Sequence, residues 1–199
     1  KETMLVEKYP ADVLEQYFDG LCERFVAWAE QETQHRGARD AALTGLAFPH
    51  AEFRPGQRHL AESVYKAALS GRHLMAQAPT GIGKTVATIF PLLKASPGQK
   101  LDKIFFLAAK TPGRGLALDA LELIRAGKDK EDAVLPLRVL ELVARDKACE
   151  HPDKACHGES CPLAQGFYDR LAAAREAAVR ASSLDQQSLR TIALAHQVC

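Results

Sequence analysis

The stretch Ala78-Pro79-Thr80-Gly81-Ile82-Gly83-Lys84-Thr85 decides the fold that this sequence predicts. Its spacing is that of a phosphate-binding P-loop, except that Ala78 stands where the strict pattern begins with glycine. The glycines let consecutive backbone N–H groups turn toward phosphate oxygens at a helix N-terminus, where the helix dipole favours anions. Lys84 supplies a positive charge for the β- and γ-phosphates, and the Thr85 hydroxyl is placed to bind Mg²⁺. The loop therefore predicts a nucleoside triphosphate site.

The segments around this loop predict an alternation of strands and helices. Residues 72–77, with Leu74-Met75-Ala76 at their centre, predict a buried strand before the loop, and residues 85–90 predict the opening of a helix after it. A turn at 96–98, a β-rich run at 103–108, a helix at 116–124 and a possible third strand at 137–143 follow along the chain, and we predict a further helix at 167–181. Strands that alternate with helices are typical of an α/β fold, in which helices wrap a parallel sheet.

The composition is that of a soluble globular protein, with 47% hydrophobic and 26% charged residues. The formal net charge is +1, so there is no global basic field, and any binding of nucleic acid has to use a local groove. No apolar run approaches the roughly 18 residues of a membrane span, and the first residues lack the apolar core of a signal peptide. We therefore expect a cytoplasmic protein with no membrane contact.

The first fifty residues predict a helical extension outside the P-loop unit. Apolar residues between 13 and 28 recur at helical spacing and draw one wide stripe, which predicts a helix at 11–30 that packs by this face. Cys22 lies on the stripe, where a small core residue is the simplest interpretation. Residues 31–40 are polar and without periodicity, which predicts a linker or a helix end and a domain boundary near residue 45.

A short segment ahead of the loop adds a candidate base-reading residue. The run Arg54-Pro55-Gly56-Gln57 introduces an amphipathic helix that we predict at 57–69. The Gln57 amide can donate to and accept from one edge of adenine at once, so an ATP pocket could use it to reject guanine. The same four residues could instead serve only as a helix cap, and the residues alone leave both interpretations open.

These two motifs together resemble those of the superfamily 2 helicases, whose adenine-reading Q-motif has this form and lies at about this distance from the P-loop. In those helicases the loop after the next strand grips the backbone of single-stranded nucleic acid. The resemblance implies that role for Lys110, Thr111 and Arg114, which carry suitable donors. Taken without the resemblance, a Lys-Thr-Pro-Gly turn is an ordinary solvated loop.

Five cysteines in a chain expected in a reducing compartment indicate metal or cluster ligands more than disulfides. Four of them are separated by six, four and thirty-seven residues, without the Cys-x-x-Cys pair usual in structural zinc sites: Cys149, Cys156, Cys161 and Cys199. Four thiolates suffice to hold one 4Fe–4S cluster, which tolerates irregular spacing. A mixed zinc site that includes His151 or His157 stays open as an alternative, as do cysteines that bind nothing.

The sequence around these cysteines resembles the iron–sulfur insertion of the XPD and DinG-like helicases. There the first cluster cysteine follows a strand and a short Arg-containing segment, and the insertion lies between the backbone-gripping loop and the Walker B strand. The resemblance implies a 4Fe–4S cluster held by all four cysteines. It also implies a RecA-like motor domain at 51–145 and a mainly helical, cysteine-bearing iron–sulfur insertion at 146–199.

The same resemblance implies an activity. The chain would belong to an ATP-dependent DNA helicase of DNA repair, with ATP and Mg²⁺ as cofactors, that moves 5′-to-3′ on single-stranded or forked DNA. A rival interpretation is a P-loop nucleotide-dependent scaffold or switch with a structural zinc site.

One expected part of such a motor is missing from the sequence. No apolar strand ends in Asp-Glu, the Walker B pair that holds Mg²⁺ and orients the attacking water. We therefore expect the chain to be the N-terminal part of a longer helicase, and by itself to bind nucleotide without productive hydrolysis.

Overall fold

The computed structural model describes residues 6–126, 135–181 and 183–199, and in these ranges the chain is mostly helical. The helices of the described ranges are α1 (Ala11–Thr44), α2 (Gln57–Ser70), α3 (Lys84–Gln99), α4 (Thr111–Ala126), α5 (Arg145–Ala148), α6 (Phe167–Arg180) and α7 (Gln186–Ala195). The strands are β1 (Val139–Leu140) and β2 (Ser183–Leu184).

Two adjoining apolar cores hold the first four helices together. In one of them α3 and α4 meet the C-terminal end of α1, through Leu43, Ile89, Phe90, Leu93, Ala117, Ala120, Ile124 and Leu135. In the other α2 packs on α3, through Leu60, Ala61, Val64 and Ala87. Because α3 contributes to both cores, the helix that starts at the P-loop is the central support of this part of the chain.

Helix α1 runs for 34 residues, so the linker predicted at 31–40 is wrong. Most residues of that segment are good helix formers, and Gly37 within it costs a helix only about 1 kcal/mol, too little to end it. Where the helix does end, Lys94 Nζ donates to the carbonyl oxygens of Thr44 at 3.2 Å and Leu46 at 2.8 Å. A cation at this point is favourable because the helix dipole is negative at its C-terminus.

The N-terminal half of α1 is exposed, which corrects the prediction of a packed face. Its large apolar side chains between 13 and 28 are all at least 41% exposed. Cys22, predicted to be a core residue, is exposed as well. The pattern predicts the apolar stripe correctly, but helical spacing does not specify what lies against a stripe.

The parallel sheet predicted around the P-loop is not formed among the described residues. The segments at 72–77 and 103–108 have no strand partner there, and their apolar side chains lie open, with Met75 100% and Leu107 89% exposed. A strand is stabilised by the ladder and the side chains of a neighbouring strand. Apolar composition alone therefore predicts a strand without supplying the neighbour that would form it.

One pair of strands does form. Val139 pairs with Ser183 and Leu140 with Leu184 in a parallel arrangement. Strand β1 lies inside the strand predicted at 137–143 but is shorter. This pair joins the segment before the clustered cysteines to the start of α7.

Three helix predictions are confirmed. Helices α2 and α6 match the segments predicted at 57–69 and 167–181 to within a residue, and α4 contains the segment predicted at 116–124 but begins five residues earlier. The turn predicted at 96–98 is wrong, since these residues belong to the last turn of α3. None of the described helices combines the length and the apolar character that crossing a membrane requires.

Candidate nucleotide and cysteine sites

The P-loop forms a tight turn that leads directly into α3. Gly81 and Gly83 have φ angles of 89° and 81°, in the left-handed region that favours glycine. Gly83 is the N-cap of α3, which begins at Lys84. The unpaired N–H groups of the first helical turn therefore lie beside the loop, where a phosphate would be bound.

Two cations hold the carbonyl oxygens of this loop. Lys84 Nζ donates to Ala78 at 3.1 Å and to Pro79 at 2.9 Å, and its side chain is exposed. Arg54 Nη1 donates to the Gly81 carbonyl at 2.7 Å. The loop thus has positive charge on more than one side, which favours an anion. Sequence reasoning missed the contact of Arg54, although this arginine lies in the motif that introduces α2.

Gln57 is buried, with only 2% of its surface exposed, although its side chain is polar. Its Oε1 accepts from the Arg54 backbone N–H at 3.0 Å, and its Nε2 donates to the Gly83 carbonyl at 3.2 Å. The first bond fits the cap interpretation, and the second ties α2 to the P-loop. The amide keeps one further N–H and one further lone pair, so the reading of adenine stays a prediction.

The contact between Gln57 and Gly83 gives residue 83 a second reason to be glycine. A Cβ added at this position would lie 2.3 Å from Gln57 Nε2, a distance that real Cβ atoms essentially never show. The two residues therefore constrain each other across 26 positions of sequence. The sequence motifs predict a role for each residue separately, and no local pattern indicates that the two are in contact.

A cleft of about 420 Å³ opens beside the loop. It lies between the start of α2 and the segment that leads into the P-loop, with Pro55, Gly56, Ala78 and Pro79 among its lining residues. This volume falls within the range of about 300–1,000 Å³ that is usual for small-molecule sites. The cleft adjoins the predicted phosphate site and has room for further parts of a nucleotide.

The residues predicted to grip DNA from a loop after the strand at 103–108 lie instead at the start of α4. Lys110 precedes the helix and is exposed, and Thr111 is its first residue, with a side chain outside the described part of the structure. Arg114 Nε lies 3.5 Å from Glu141 Oε1, and its Nη1 donates to the Leu142 carbonyl at 3.4 Å. Arg114 therefore joins α4 to the segment after β1, a contact that the sequence did not predict.

The structure brings the four predicted ligand cysteines into one neighbourhood. Burial raises the pKa of the Cys199 thiol, and the charges of Cys156, Cys161 and Cys149 raise it further. Each of these three cysteines therefore lies near the Cys199 thiol, because interactions between separated charges are screened over about 10 Å. Cys22 is not among the groups that shift this pKa.

An ion pair connects α7 to the first of these cysteines. Arg190 donates from Nε and Nη2 to the two carboxylate oxygens of Glu150, at 2.5 and 2.8 Å. The hydrogen bond from Arg190 holds the pKa of Glu150 below its ordinary value. Since Glu150 follows Cys149 directly, this bidentate pair links the segment of that cysteine to α7.

A second arginine links the loop after Cys161 to the segment that carries Cys199. Arg170 Nε donates to the Gln197 carbonyl at 3.1 Å, and its Nη2 donates to the Leu163 carbonyl at 3.4 Å. Val198, which lies between Gln197 and Cys199, is buried. The cysteines are thus held by side chains of α6 and α7 as well as by their own loops.

No three His, Cys, Asp or Glu side chains within the described ranges are grouped as ligands of a single metal ion. His157, a candidate for a mixed zinc site, shares a hydrogen bond of 3.2 Å between its Nε2 and Ser160 Oγ. All ligands of one zinc ion lie about 2.0–2.3 Å from a single point. A four-iron cluster is larger, and each of its thiolates binds a separate iron.

The loop and its supporting residues define a P-loop nucleotide-binding protein. A family model described as DEAD/DEAH box helicase matches residues 58–158, just over half of the sequence. The chain therefore belongs to the DEAD/DEAH box helicase family, within helicase superfamily 2. No curated protein and no solved structure matches the chain.

Family membership confirms the general part of the sequence interpretation. It assigns the chain to the ATP-dependent helicases, with ATP and Mg²⁺ as consistent cofactors and nucleic acid as partner. It also favours a RecA-like fold, of which the described residues show the packed helices but not the central parallel sheet.

Proposed function

We propose that this chain belongs to an iron–sulfur DNA helicase related to XPD and DinG, which couples ATP hydrolysis to 5′-to-3′ movement on single-stranded DNA. The observation that carries the proposal is that the hydrogen bonds of Arg170 and Arg190 bring together the segments that bear Cys149, Cys161 and Cys199. Family membership supports the ATP-dependent helicase, and the cysteines favour this particular subfamily.

The P-loop residues 78–85 would hold the nucleotide. The N–H groups at the start of α3 would surround the phosphates, Lys84 would neutralise their charge, and the Thr85 hydroxyl would bind Mg²⁺. Gln57 would read adenine with the N–H and lone pair that its two structural bonds leave available. Because Gln57 also binds the Gly83 carbonyl, contact with the base would be transmitted directly to the phosphate loop.

Cys149, Cys156, Cys161 and Cys199 fit a 4Fe–4S cluster by their chemistry and by their shared neighbourhood. Such a cluster, when bound, would cross-link a segment that is rich in loops. The protein's own contribution is to hold the thiols in place through the Glu150–Arg190 ion pair and the two carbonyl contacts of Arg170.

Lys110, Thr111 and Arg114 would bind the DNA backbone from the start of α4. Contacts with phosphate suit this place, because the N–H groups of a helix N-terminus add to the charge of the side chains. Arg114 is paired with Glu141, so DNA phosphate bound here would compete with that carboxylate for the guanidinium of Arg114.

Visible absorption of the chain purified without oxygen tests the cluster. Cys161→Ser should lose the brown colour because it removes one of four ligands, whereas Cys22→Ser, a matched change at an exposed thiol of α1, should keep it. Full colour in Cys161→Ser, or a colourless chain that carries one zinc, would contradict the cluster. The zinc result would favour the nucleotide-dependent scaffold or switch.

Binding of fluorescent ATP and GTP analogues tests the nucleotide site. Lys84→Ala should weaken both analogues because phosphate charge is left unneutralised. Gln57→Ala should reduce the preference for ATP over GTP, since the unpaired groups that reject guanine are lost. An unchanged preference would assign Gln57 to the cap role alone.

Fluorescence anisotropy with a labelled single-stranded oligonucleotide tests the DNA contact. Lys110→Ala should weaken binding severalfold and reduce its dependence on salt. Lys66→Ala, which changes an exposed lysine on α2, is the matched control and should leave binding unchanged. Equal affinities of wild type and Lys110→Ala would remove Lys110 from the DNA site.

A further inference from the structure

The N-terminal half of α1 projects from the body of the protein with an apolar face that no described residue covers. From Glu32 onward the helix is docked, because Glu32 pairs with Arg138 at 2.6 Å and Leu43 is buried. Before that point the four aromatic side chains of α1 are 55–64% exposed. At about 200 Å² for each aromatic side chain, they expose on the order of 500 Å², as much as the largest patch of a typical monomer.

This face follows the spacing of a coiled coil. Six residues alternate steps of three and four, as the a and d positions of a heptad do, and we call them the seam: Ala11, Leu14, Phe18, Leu21, Phe25 and Trp28. The next two positions of the series are Glu32, which pairs with Arg138, and His35. The seam therefore stops where the helix meets the body. It is about 26 Å long at a rise of 1.5 Å per residue.

We propose that the seam binds the seam of a second copy of this chain in antiparallel orientation. Reversal about the midpoint of the seam places one aromatic against one aliphatic side chain in every layer: Ala11 with Trp28, Leu14 with Phe25, and Phe18 with Leu21. Protein interiors are close-packed, so layers of similar volume are favoured. A parallel pair would stack Trp28 on Trp28 and Ala11 on Ala11, which overfills one layer and leaves another empty.

The residues beside the seam also fit this arrangement. In the antiparallel register Tyr17 lies opposite Arg24 of the second copy, where a cation–π contact can form. Glu15 lies opposite Cys22, so no like charges meet along the seam. Each contact occurs twice because the pairing is two-fold symmetric.

The exposed area is also sufficient for a stable pair. A standard interface buries about 800 Å² on each partner. The four aromatic residues of α1 supply more than half of that area, and the exposed Leu14 and Leu21 with the flanking side chains supply the remainder. A second copy of the chain therefore matches the face in length, layer volume, charge and area.

Sedimentation equilibrium of the whole chain tests the proposal, with a dimer expected at micromolar concentration. Phe18→Glu places a charge in two of the six layers and should raise the dissociation constant about 100-fold or more. Val26→Glu is the matched control on the same helix, about 130° from the centre of the seam at 3.6 residues per turn. Val26→Glu should leave the dissociation constant within about threefold of the wild-type value. Both side chains are exposed, so neither change threatens the fold.

A chain that is still monomeric at about 100 μM would overturn the proposal, because its dimer dissociation constant would then be higher than a stable interface gives. Equal loss of the dimer in both variants, or no loss in Phe18→Glu, would overturn it too.

A mixture of two variants tests the orientation. Phe18→Glu and Leu21→Lys should each be monomeric alone, because each buries an unpaired charge. In an antiparallel pair of one with the other, the introduced carboxylate lies opposite the introduced ammonium, and the mixture should dimerise. A parallel pair sets each charge against an apolar side chain. A mixture that stays monomeric would therefore contradict the antiparallel register.

Discussion

Replacing Gly83 with alanine should destabilise the P-loop through two separable effects. The φ angle of 81° is one at which a side chain costs about 1–2 kcal/mol. In addition, the new Cβ would lie 2.3 Å from Gln57 Nε2, so the buried amide has to move and give up its bond to the Gly83 carbonyl. Loss of that bond costs about 1–2 kcal/mol. We therefore expect the free energy of unfolding to fall by about 2–4 kcal/mol.

Urea unfolding followed by circular dichroism measures this change, and two variants separate its parts. Gly81→Ala is the matched control, because φ is 89° there while no atom lies within 4 Å of the added Cβ. It should cost only the backbone effect of about 1–2 kcal/mol. In a Gln57→Ala background the obstacle is absent, so Gly83→Ala should then cost about as much as Gly81→Ala. The reasoning is refuted if Gly83→Ala lies within about 0.5 kcal/mol of wild type, or if its cost is the same in both backgrounds.

Three further predictions concern single residues. Arg190→Ala should speed amide hydrogen exchange in α7 but not in α2. Because Arg190 lowers the pKa of Glu150, the ion pair stabilises the fold at pH values above the ordinary pKa of a glutamate. The difference in thermal midpoint between variant and wild type should therefore shrink as the pH falls below that pKa. Asp185→Ala removes the acceptor for the Ser188 N–H at 2.7 Å and should lower the thermal midpoint by about 2–4 °C, with Asp185→Asn restoring most of it. Gly20→Ala, where nothing lies within 4 Å, should raise the free energy of unfolding in urea by up to about 1 kcal/mol, and a decrease would mean that this glycine is needed.

The helices and the P-loop could be predicted because their signals are local. The motif at 54–57 and apolar spacing predict α2, apolar spacing predicts α4, and two glycines at fixed separation predict the turn before α3. Whether residues 103–108 form a strand could not be predicted in this way, because a strand depends on a neighbouring strand that its own residues do not specify. The stripe on α1 shows the same limit, since its spacing predicts an apolar face but not whether that face is covered.

Within the candidate sites, the types of residue could be predicted but not their contacts. The sequence predicts roles for Gln57 and Arg114, and the structure adds that they bind Gly83 and Glu141. Both contacts join residues that are distant in sequence, so no local pattern reports them. The approach of Cys199 to the other three cysteines likewise depends on the course of α6 and α7.

The metal and sulfide content of the chain purified without oxygen tests the iron–sulfur helicase most directly. We predict about four irons and four acid-labile sulfides per chain, as one 4Fe–4S cluster contains. Cys149→Ser, Cys156→Ser, Cys161→Ser and Cys199→Ser should each lower both values, while Cys22→Ser leaves them unchanged. One equivalent of zinc without iron or sulfide would contradict the cluster and, with it, the assignment of this helicase to the XPD and DinG group.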